Sequence, residues 1–160
     1  MSRTSAADAA TIRRAVRADL LGVVRIERAA FAHPWSMETF ERFLGGPGFL
    51  VAVIPGAEGP GRDVVGYVVA TGVRVNGRRM GHVKDIAVAP DREGEGLGTR
   101  LLDRAMVVLA RQDYDRVRLE VRRSNDRARA LYGRFGFERV QTYPEYYPDG
   151  EDAAVLHARL

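Results

Sequence analysis

At 160 residues, 46% of them apolar and 29% charged, the chain has the balance of a soluble globular protein and enough length to bury a core as one domain. The formal net charge is +4, all but Lys84 of the 25 basic residues being arginine, yet no basic segment interleaved with aromatics marks a nucleic-acid module. Zero cysteines exclude disulfides and a thiol nucleophile, and three histidines at 33, 82 and 157 form no metal cluster; no apolar run reaches the ~20 residues of a membrane span, and the start lacks a signal-peptide core, so the expected compartment is the cytoplasm, with no membrane or direct nucleic-acid partner.

Residues 1–10, small and polar, read as a disordered leader, and 11–160 as a single domain. TIRRAV (11–16) suits a first strand. In ADLLGVVRIERAAF, apolar residues at 20, 21, 23, 24, 26 and 31 recur mostly at helical spacing, with Asp19 placed to cap. Pro34 interrupts, and SMETFERFL restarts as a short helix capped by Ser36. After the turn GGPG (45–48), FLVAVI reads as a strand; after the loop PGAEGPGRD (55–63), VVGYVVATGVRV reads as a long one. Asn76-Gly77 is a type I′ hairpin signal, so MGHVKDIAVA returns antiparallel beside it. Beyond a glycine-rich loop, Leu97, Leu101, Leu102, Ala105, Val108 and Leu109 make the apolar stripe of a helix ending near Asp113. RVRLEV (116–121) alternates as a half-buried strand. SNDRARALYGRFG is a helix with Ser124 as cap and Gly136 just past its end. FERVQTY and AAVLHARL close the chain as strands around PEYYPDGED. The order is β-α-α-β-β-β, glycine loop, α-β-α-β-β, with no repeat or linker.

The loop in VAPDREGEGLGTRLL (88–102) carries Gly94, Gly96 and Gly98 between strand and helix. Glycines so dense let backbone N–H groups approach a ligand closely, and the helix N-terminus behind them favours an anion. The pattern is G-x-G-x-G followed by Thr99, not the dinucleotide G-x-G-x-x-G, and the Lys-Ser/Thr pair of a P-loop is missing. A tight strand-to-helix turn would account for one or two of the three glycines. Glu93 and Glu95 are unusual in a phosphate cradle; an outward-pointing glutamate is tolerable if backbone amides supply most of the grip.

On IAVAPDREGEGLGTRLL, continued by LEVRRSNDRARALYGRFGF and YYPDGEDA, the chain resembles the GNAT superfamily of acetyl-CoA-dependent N-acetyltransferases over residues 11–160. Within it the resemblance is to ribosomal-protein alanine acetyltransferases and archaeal NatA-like N-terminal acetyltransferases. It implies an α/β (α+β) GNAT fold: a mixed, mostly antiparallel sheet of seven strands flanked by four helices, with a splayed strand pair holding acetyl-CoA. It also implies that Ile86, Ala87 and Val88 bind the acetyl-pantetheine end, the Val88 N–H serving as oxyanion donor. Glu93, Gly94, Glu95, Gly96, Leu97, Gly98 and Thr99 would hold the pyrophosphate, with Asn125 and Tyr132 as further cofactor contacts. The family usually has Arg or Gln where this chain has Glu93, and often a base at Glu95; Arg92, Arg100 or Arg129 are the cations that could compensate.

Direct attack of an amine on a thioester requires a neutral amine, a donor for the oxyanion and a proton for the departing thiolate. Tyr132 matches the family's thiolate-protonating tyrosine, and a phenol of pKa about 10 stays protonated at neutral pH. On the residues alone, the stripe Ala128, Leu131, Tyr132 and Phe135 favours core packing for Tyr132; the resemblance turns the reading to catalysis. Asn125, two turns earlier on the same face, matches a cofactor-contacting asparagine or caps the helix beside Ser124. For the base, Glu120 matches the glutamate of the ribosomal-protein enzymes, and His82 a histidine of archaeal and eukaryotic relatives that acts through water. Glu120 is weighted above His82, and a relay using both is a third possibility. Without the resemblance, Glu120 suits an exposed partner for Arg118 or Arg122, and His82 a packed strand histidine.

The pair Tyr146-Tyr147 ahead of Asp-Gly-Glu-Asp resembles the substrate loop of N-terminal acetyltransferases, and AFAHPWSMETF the other wall of that groove, with Phe31, Pro34 and Trp35. Ordinary aromatic packing at the sheet ends is the alternative. An α-amine of pKa about 7.7–8.0 is roughly a tenth neutral at pH 7, and a lysine at about 10.4 far less. A relayed weak base therefore favours a protein or peptide N-terminus, which the resemblance extends to a ribosomal protein. Competing readings are a GNAT enzyme for a lysine side chain or small-molecule amine, and a non-catalytic acyl-CoA-binding sensor encouraged by Glu93 and Glu95. No metal is called for, and a monomer or weak dimer is expected.

Overall fold

The computed structural model of the protein describes residues 9–160, so the expected leader falls mainly outside the described residues. Ala10, its last residue, is 5% exposed and belongs to the folded part. In chain order the elements are β1 (Thr11–Arg14), α1 (Leu20–Ala30), α2 (Met37–Glu41), β2 (Phe49–Val53), β3 (Val64–Val75), β4 (Arg78–Val88), α3 (Leu97–Arg111), β5 (Arg116–Arg122), α4 (Asp126–Arg134), β6 (Glu138–Tyr143) and β7 (Ala153–Arg159). The strands join as one seven-stranded sheet in the order β1-β2-β3-β4-β5-β7-β6. Pairing is antiparallel at β1/β2, β2/β3, β5/β7 and β6/β7 and parallel at β4/β5. This is the expected mixed sheet with four helices. Asn76 and Gly77 both take positive φ, as the hairpin between β3 and β4 requires. No helix among the described residues is long and apolar enough to cross a membrane.

By internal contacts the chain forms two compact units, residues up to Val69 with Asp85–Ala105, and Ala70–Lys84 with Met106–Leu160. In the first, the helical spacing of Leu20, Val23 and Ile26 turns one face of α1 onto Phe40, Phe49, Val51, Tyr67 and Val69. Burying each large apolar side chain there contributes about 1.5–3 kcal/mol. Gly22 allows a close approach on another side: a Cβ at that position would lie 2.3 Å from the Gly61 carbonyl oxygen. Asp19 does not cap α1. Its carboxylate turns back to accept the Val16 N–H at 2.8 Å and a forked pair from Arg13 at 2.7 and 2.9 Å, a guanidinium being a stronger partner than a helix amide. Ser36 caps α2 as expected, accepting from the Thr39 N–H.

In the second unit, β5 makes a full ladder with β7, from Arg116↔Arg159 to Arg122↔Ala153, and meets β4 at Gly81↔Val117 and His82↔Arg118. Gly81 leaves room for Leu109 of α3, whose Cδ1 would lie 2.8 Å from a Cβ there. The cap of α4 is Asn125, not Ser124: its side chain accepts the Ala128 N–H at 3.1 Å. The Ser124 hydroxyl instead donates to the Glu151 carboxylate at 2.6 Å, a charge-assisted bond that outcompetes capping. Gly136 follows the helix in the left-handed region, as expected.

Candidate active site

The half-buried alternation expected of β5 breaks at Arg118, which is 9% exposed. Arg118 and Glu120 are two apart on the strand and therefore share a face. The Arg118 Nε donates to Glu120 Oε1 at 2.9 Å, and its Nη2 donates to the Tyr143 hydroxyl at 2.8 Å. The other Glu120 oxygen, Oε2, lies 2.7 Å from His82 Nε2. Glu120 is thus not an exposed partner: its side chain is 14% exposed, with both oxygens engaged. Burial pushes its carboxyl up, but the hydrogen bond and charge of His82, then those of Arg118, outweigh this and hold it below the ordinary carboxylate range. An ionised carboxylate only accepts, so His82 Nε2 is the donor and its proton-accepting atom is Nδ1. That Nδ1 is buried and has no hydrogen-bond partner among the described residues. The two candidate bases are hydrogen-bonded to each other.

Tyr146 and Tyr147 extend the same cluster. The Arg118 guanidinium lies 5.5 Å from the Tyr143 ring centre, Tyr143 stacks on Tyr146 at 5.8 Å, Tyr146 meets Tyr147 edge-on at 5.1 Å, and Arg122 covers Tyr147 at 4.1 Å. Arg122 is itself held by Asp149 at 2.8 Å, and the Tyr147 N–H by the Glu151 carbonyl at 3.1 Å. Cation–π and ring–ring contacts of about 0.5–1.5 kcal/mol each run the length of this ladder. Burial raises both phenols, that of Tyr147 to about 12, so they stay protonated donors across the physiological range. Tyr132 is buried on α4 with its ring 5.8 Å from Phe137, and Asn125 uses its oxygen as a helix cap.

In the first unit, Ala87 is buried and Ile86 and Val88 are half-buried at the end of β4. Gly94 and Gly96 have φ of +82° and +84°, and a Cβ on either would enter open space. These two left-handed glycines ahead of Leu97, where α3 begins, leave open space at their Cβ positions beside a helix N-terminus, which can receive a phosphate group. Gly98 and Thr99 lie within the first turn of α3. Glu93 is exposed, but Glu95 does not point outward as allowed for it: its Oε2 is buried without a hydrogen-bond partner among the described residues. Phe31 and Trp35 pack partly buried against the core, the Trp35 ring 5.3 Å from Phe40 and stacked on Phe43 at 5.7 Å. No three of His, Cys, Asp and Glu among the described residues are placed to hold a metal.

Two groups of polar residues escaped the sequence reading. Tyr143 braces Glu120 through Arg118, which the sequence offered only as an exposed partner; the signal was parity, since Arg118 shares Glu120's face of β5. The second group is Glu27, Tyr67 and Asp85, polar side chains of the first unit, of which Glu27 and Tyr67 are buried and Asp85 is half-buried with its Oδ2 out of contact with solvent. Glu27 is four residues past Val23 and three past Val24, squarely on the apolar face of α1, and Asp85 has the parity of Val83 and Ala87 on β4. An acid at an inward-facing position is itself the signal.

Comparison with known proteins matches residues 20–137 to the family described as "Acetyltransferase (GNAT) family". The chain is 32% identical to an N-alpha-acetyltransferase of Sulfolobus acidocaldarius, covering 93% of this chain and 92% of that protein. It is 31% identical to the ribosomal protein bS18-alanine N-acetyltransferase of Escherichia coli K12, covering 88% and 90%. The crystal structure of Ard1 from Thermoplasma volcanium superposes with a TM-score of 0.83 at 26% identity, covering 95% of this chain and 98% of that one.

Proposed function

Because the chain belongs to the GNAT acetyltransferase family and is an N-acetyltransferase, we propose that it transfers acetyl from acetyl-CoA to the N-terminal α-amine of a protein or peptide. The observation that carries this reading is the His82–Glu120 dyad, a base with one buried, unpartnered nitrogen and a carboxylate 2.7 Å behind it. Acetyl-CoA supplies the activated acetyl thioester. The 93–99 loop holds its pyrophosphate through backbone amides, and Ile86, Ala87 and Val88 take its acetyl-pantetheine end, the Val88 N–H donating to the oxygen where negative charge develops.

His82 Nδ1 accepts the proton of the α-ammonium, directly or through water, and Glu120 fixes the ring and stabilises the imidazolium that results. An amine of pKa about 7.7–8.0 needs only such a modest base, whereas a lysine near 10.4 is a poor match for it. Tyr132, a phenol, holds the proton required by the leaving sulfur. Tyr146 and Tyr147, both protonated donors, hydrogen-bond the first peptide units, and Phe31 and Trp35 offer apolar contacts to the peptide. Asn125 contacts the cofactor through its amide nitrogen while its oxygen caps α4. The similarity to a bS18-alanine N-acetyltransferase supports a ribosomal protein as one substrate.

The test is mass spectrometry of a varied peptide library incubated with enzyme and acetyl-CoA. Peptides with free N-termini gain acetyl at the α-amine; the same peptides with blocked N-termini and an internal lysine do not. Equal modification of both sets would move the assignment to lysine side chains, and acetylation of free small amines alone would move it to a small-molecule substrate.

A further inference from the structure

Two carboxyls meet in the first unit, Glu27 in its core and the half-buried Asp85 at its edge. Glu27 on α1 is 2% exposed, among Val23, Val24, Ile26 and Phe40. Its Oε2 accepts the hydroxyl of Tyr67, a fully buried residue of β3, and it is hydrogen-bonded to Asp85 of β4. Its Oε1 accepts the backbone N–H of Trp35 at 3.2 Å. Asp85 directly precedes Ile86 on β4, and its Oδ2 is buried and unpartnered among the described residues. Burying charged groups costs several kcal/mol even when they are paired, and an apolar replacement often stabilises. A stability role alone is therefore a weak account of this cluster.

Its connections suggest a better one. Between Ala30, where α1 ends, and Ser36, which caps α2, the chain has no regular hydrogen bonding, and Ala32, His33 and Pro34 are exposed. The Trp35 amide is where that segment is tied to the interior. At its other side the cluster reaches Ile86, the first residue of the strand end assigned to the acetyl group. We propose that Glu27, Asp85 and Tyr67 are positioning residues that latch the Phe31–Trp35 segment to the β4 end. That the latched segment is a peptide wall rests on the α-amine reading; the latch itself does not.

The proton balance agrees with the geometry. Burial, then the hydrogen bond and charge of Glu27, hold the Asp85 carboxyl well above its ordinary range. Burial, with the charges of Asp85 and Glu27, raises the Tyr67 phenol as well. The groups facing Asp85 are Glu27 from α1 and Tyr67 from β3, neither of them basic. The cluster thus carries one negative charge held by two O–H donors and one N–H. A group raised in the folded state contributes stability present below its unfolded pKa and lost as pH rises through the folded one. Alkaline solution accordingly sets a second negative charge beside Glu27 and loosens Trp35.

Trp35 is the only tryptophan in the chain, so intrinsic fluorescence reads this latch without reference to activity. Glu27→Ala, which removes the acceptor, should red-shift the emission and raise the peptide KM about five- to ten-fold, the loss of roughly one hydrogen bond. The kcat and the acetyl-CoA affinity, measured by calorimetry, should change less than twofold, a split that general destabilisation would not give. Asp85→Ala should show the same signs, and Asp85→Asn, which donates an N–H with no proton to lose, should rescue both signals and abolish the alkaline emission shift of the natural protein. Should Glu27→Ala fail to fold, Glu27→Gln keeps one oxygen for Trp35 and should lie between. Unchanged Trp35 emission in Glu27→Ala, or Asp85→Asn behaving like Asp85→Ala, overturns the latch. If the natural protein leaves free peptide N-termini unmodified, the α-amine reading fails by itself, and the emission series decides the latch.

Discussion

Replacing Glu120 by glutamine keeps the shape of the side chain and removes its charge. Arg118, 9% exposed, then loses the anion 2.9 Å from its Nε, and His82 loses the one 2.7 Å from its Nε2. Breaking a buried pair from one side costs about 3–5 kcal/mol. Arg118 retains the Tyr143 hydroxyl at 2.8 Å, and a glutamine oxygen can still accept, so the lower end of about 3 kcal/mol applies. For a domain of this size that is a fall of roughly 6–12 °C in Tm. The pH dependence has a sign. A carboxyl held below its ordinary range contributes stability that is present above the unfolded pKa of about 4.3 and lost as pH falls through the folded value. Thermal melts from pH 3 to 8 should therefore show an acid limb in the natural protein that is shallower in Glu120→Gln. Peptide turnover should fall about 10²–10⁴-fold as His82 loses its orienting partner. A variant with the same Tm and the same acid limb would refute the pairing argument, and one with the same turnover would remove Glu120 from the chemistry.

Tyr132→Phe keeps the ring against Phe137 and deletes the proton, so turnover should drop about 10²–10⁴-fold while acetyl-CoA affinity and Tm hold; equal turnover makes Tyr132 a packing residue. Gly96→Val places a branched side chain at φ +84° and fills the open cradle, and calorimetry should find acetyl-CoA binding severely weakened; normal binding removes the loop from the site. Gly22→Ala drives a Cβ to 2.3 Å from the Gly61 carbonyl oxygen, a backbone atom. It should cost about 1–3 kcal/mol or more, read as a lower Tm, and a melt like that of the natural protein would show that the 55–63 loop yields freely.

Element order was legible because it rests on periodicity: the stripe Leu97, Leu101, Leu102, Ala105 and Leu109 and the hairpin at Asn76-Gly77 are local signals. Caps were harder. Asp19 and Ser124 have the right chemistry in the right place, but each has a stronger charged partner, Arg13 or Glu151, that no local window reveals. The same holds at the site. His82 and Glu120 were both named as bases, and the sequence does not show that they touch: the 2.7 Å contact joins residues 38 apart. Glu27 and Asp85 were passed over although spacing puts each on the inward face of its element. That the two meet beside Tyr67 is a tertiary fact no local window shows.

The ladder from Arg122 through three tyrosines to Arg118 has a consequence for how a guest is received. Immobilising a rotamer-rich side chain on association costs about 0.5–1.5 kcal/mol. Here Tyr143 stacks on Tyr146, Tyr146 meets Tyr147 edge-on, and guanidinium groups bracket the row, so that entropy is surrendered on folding. A guest entering over Tyr146, which is half exposed, meets a wall already in place. Association should then proceed in a single kinetic phase, its rate first-order in guest concentration without a plateau, because no slow reordering of the loop follows the encounter.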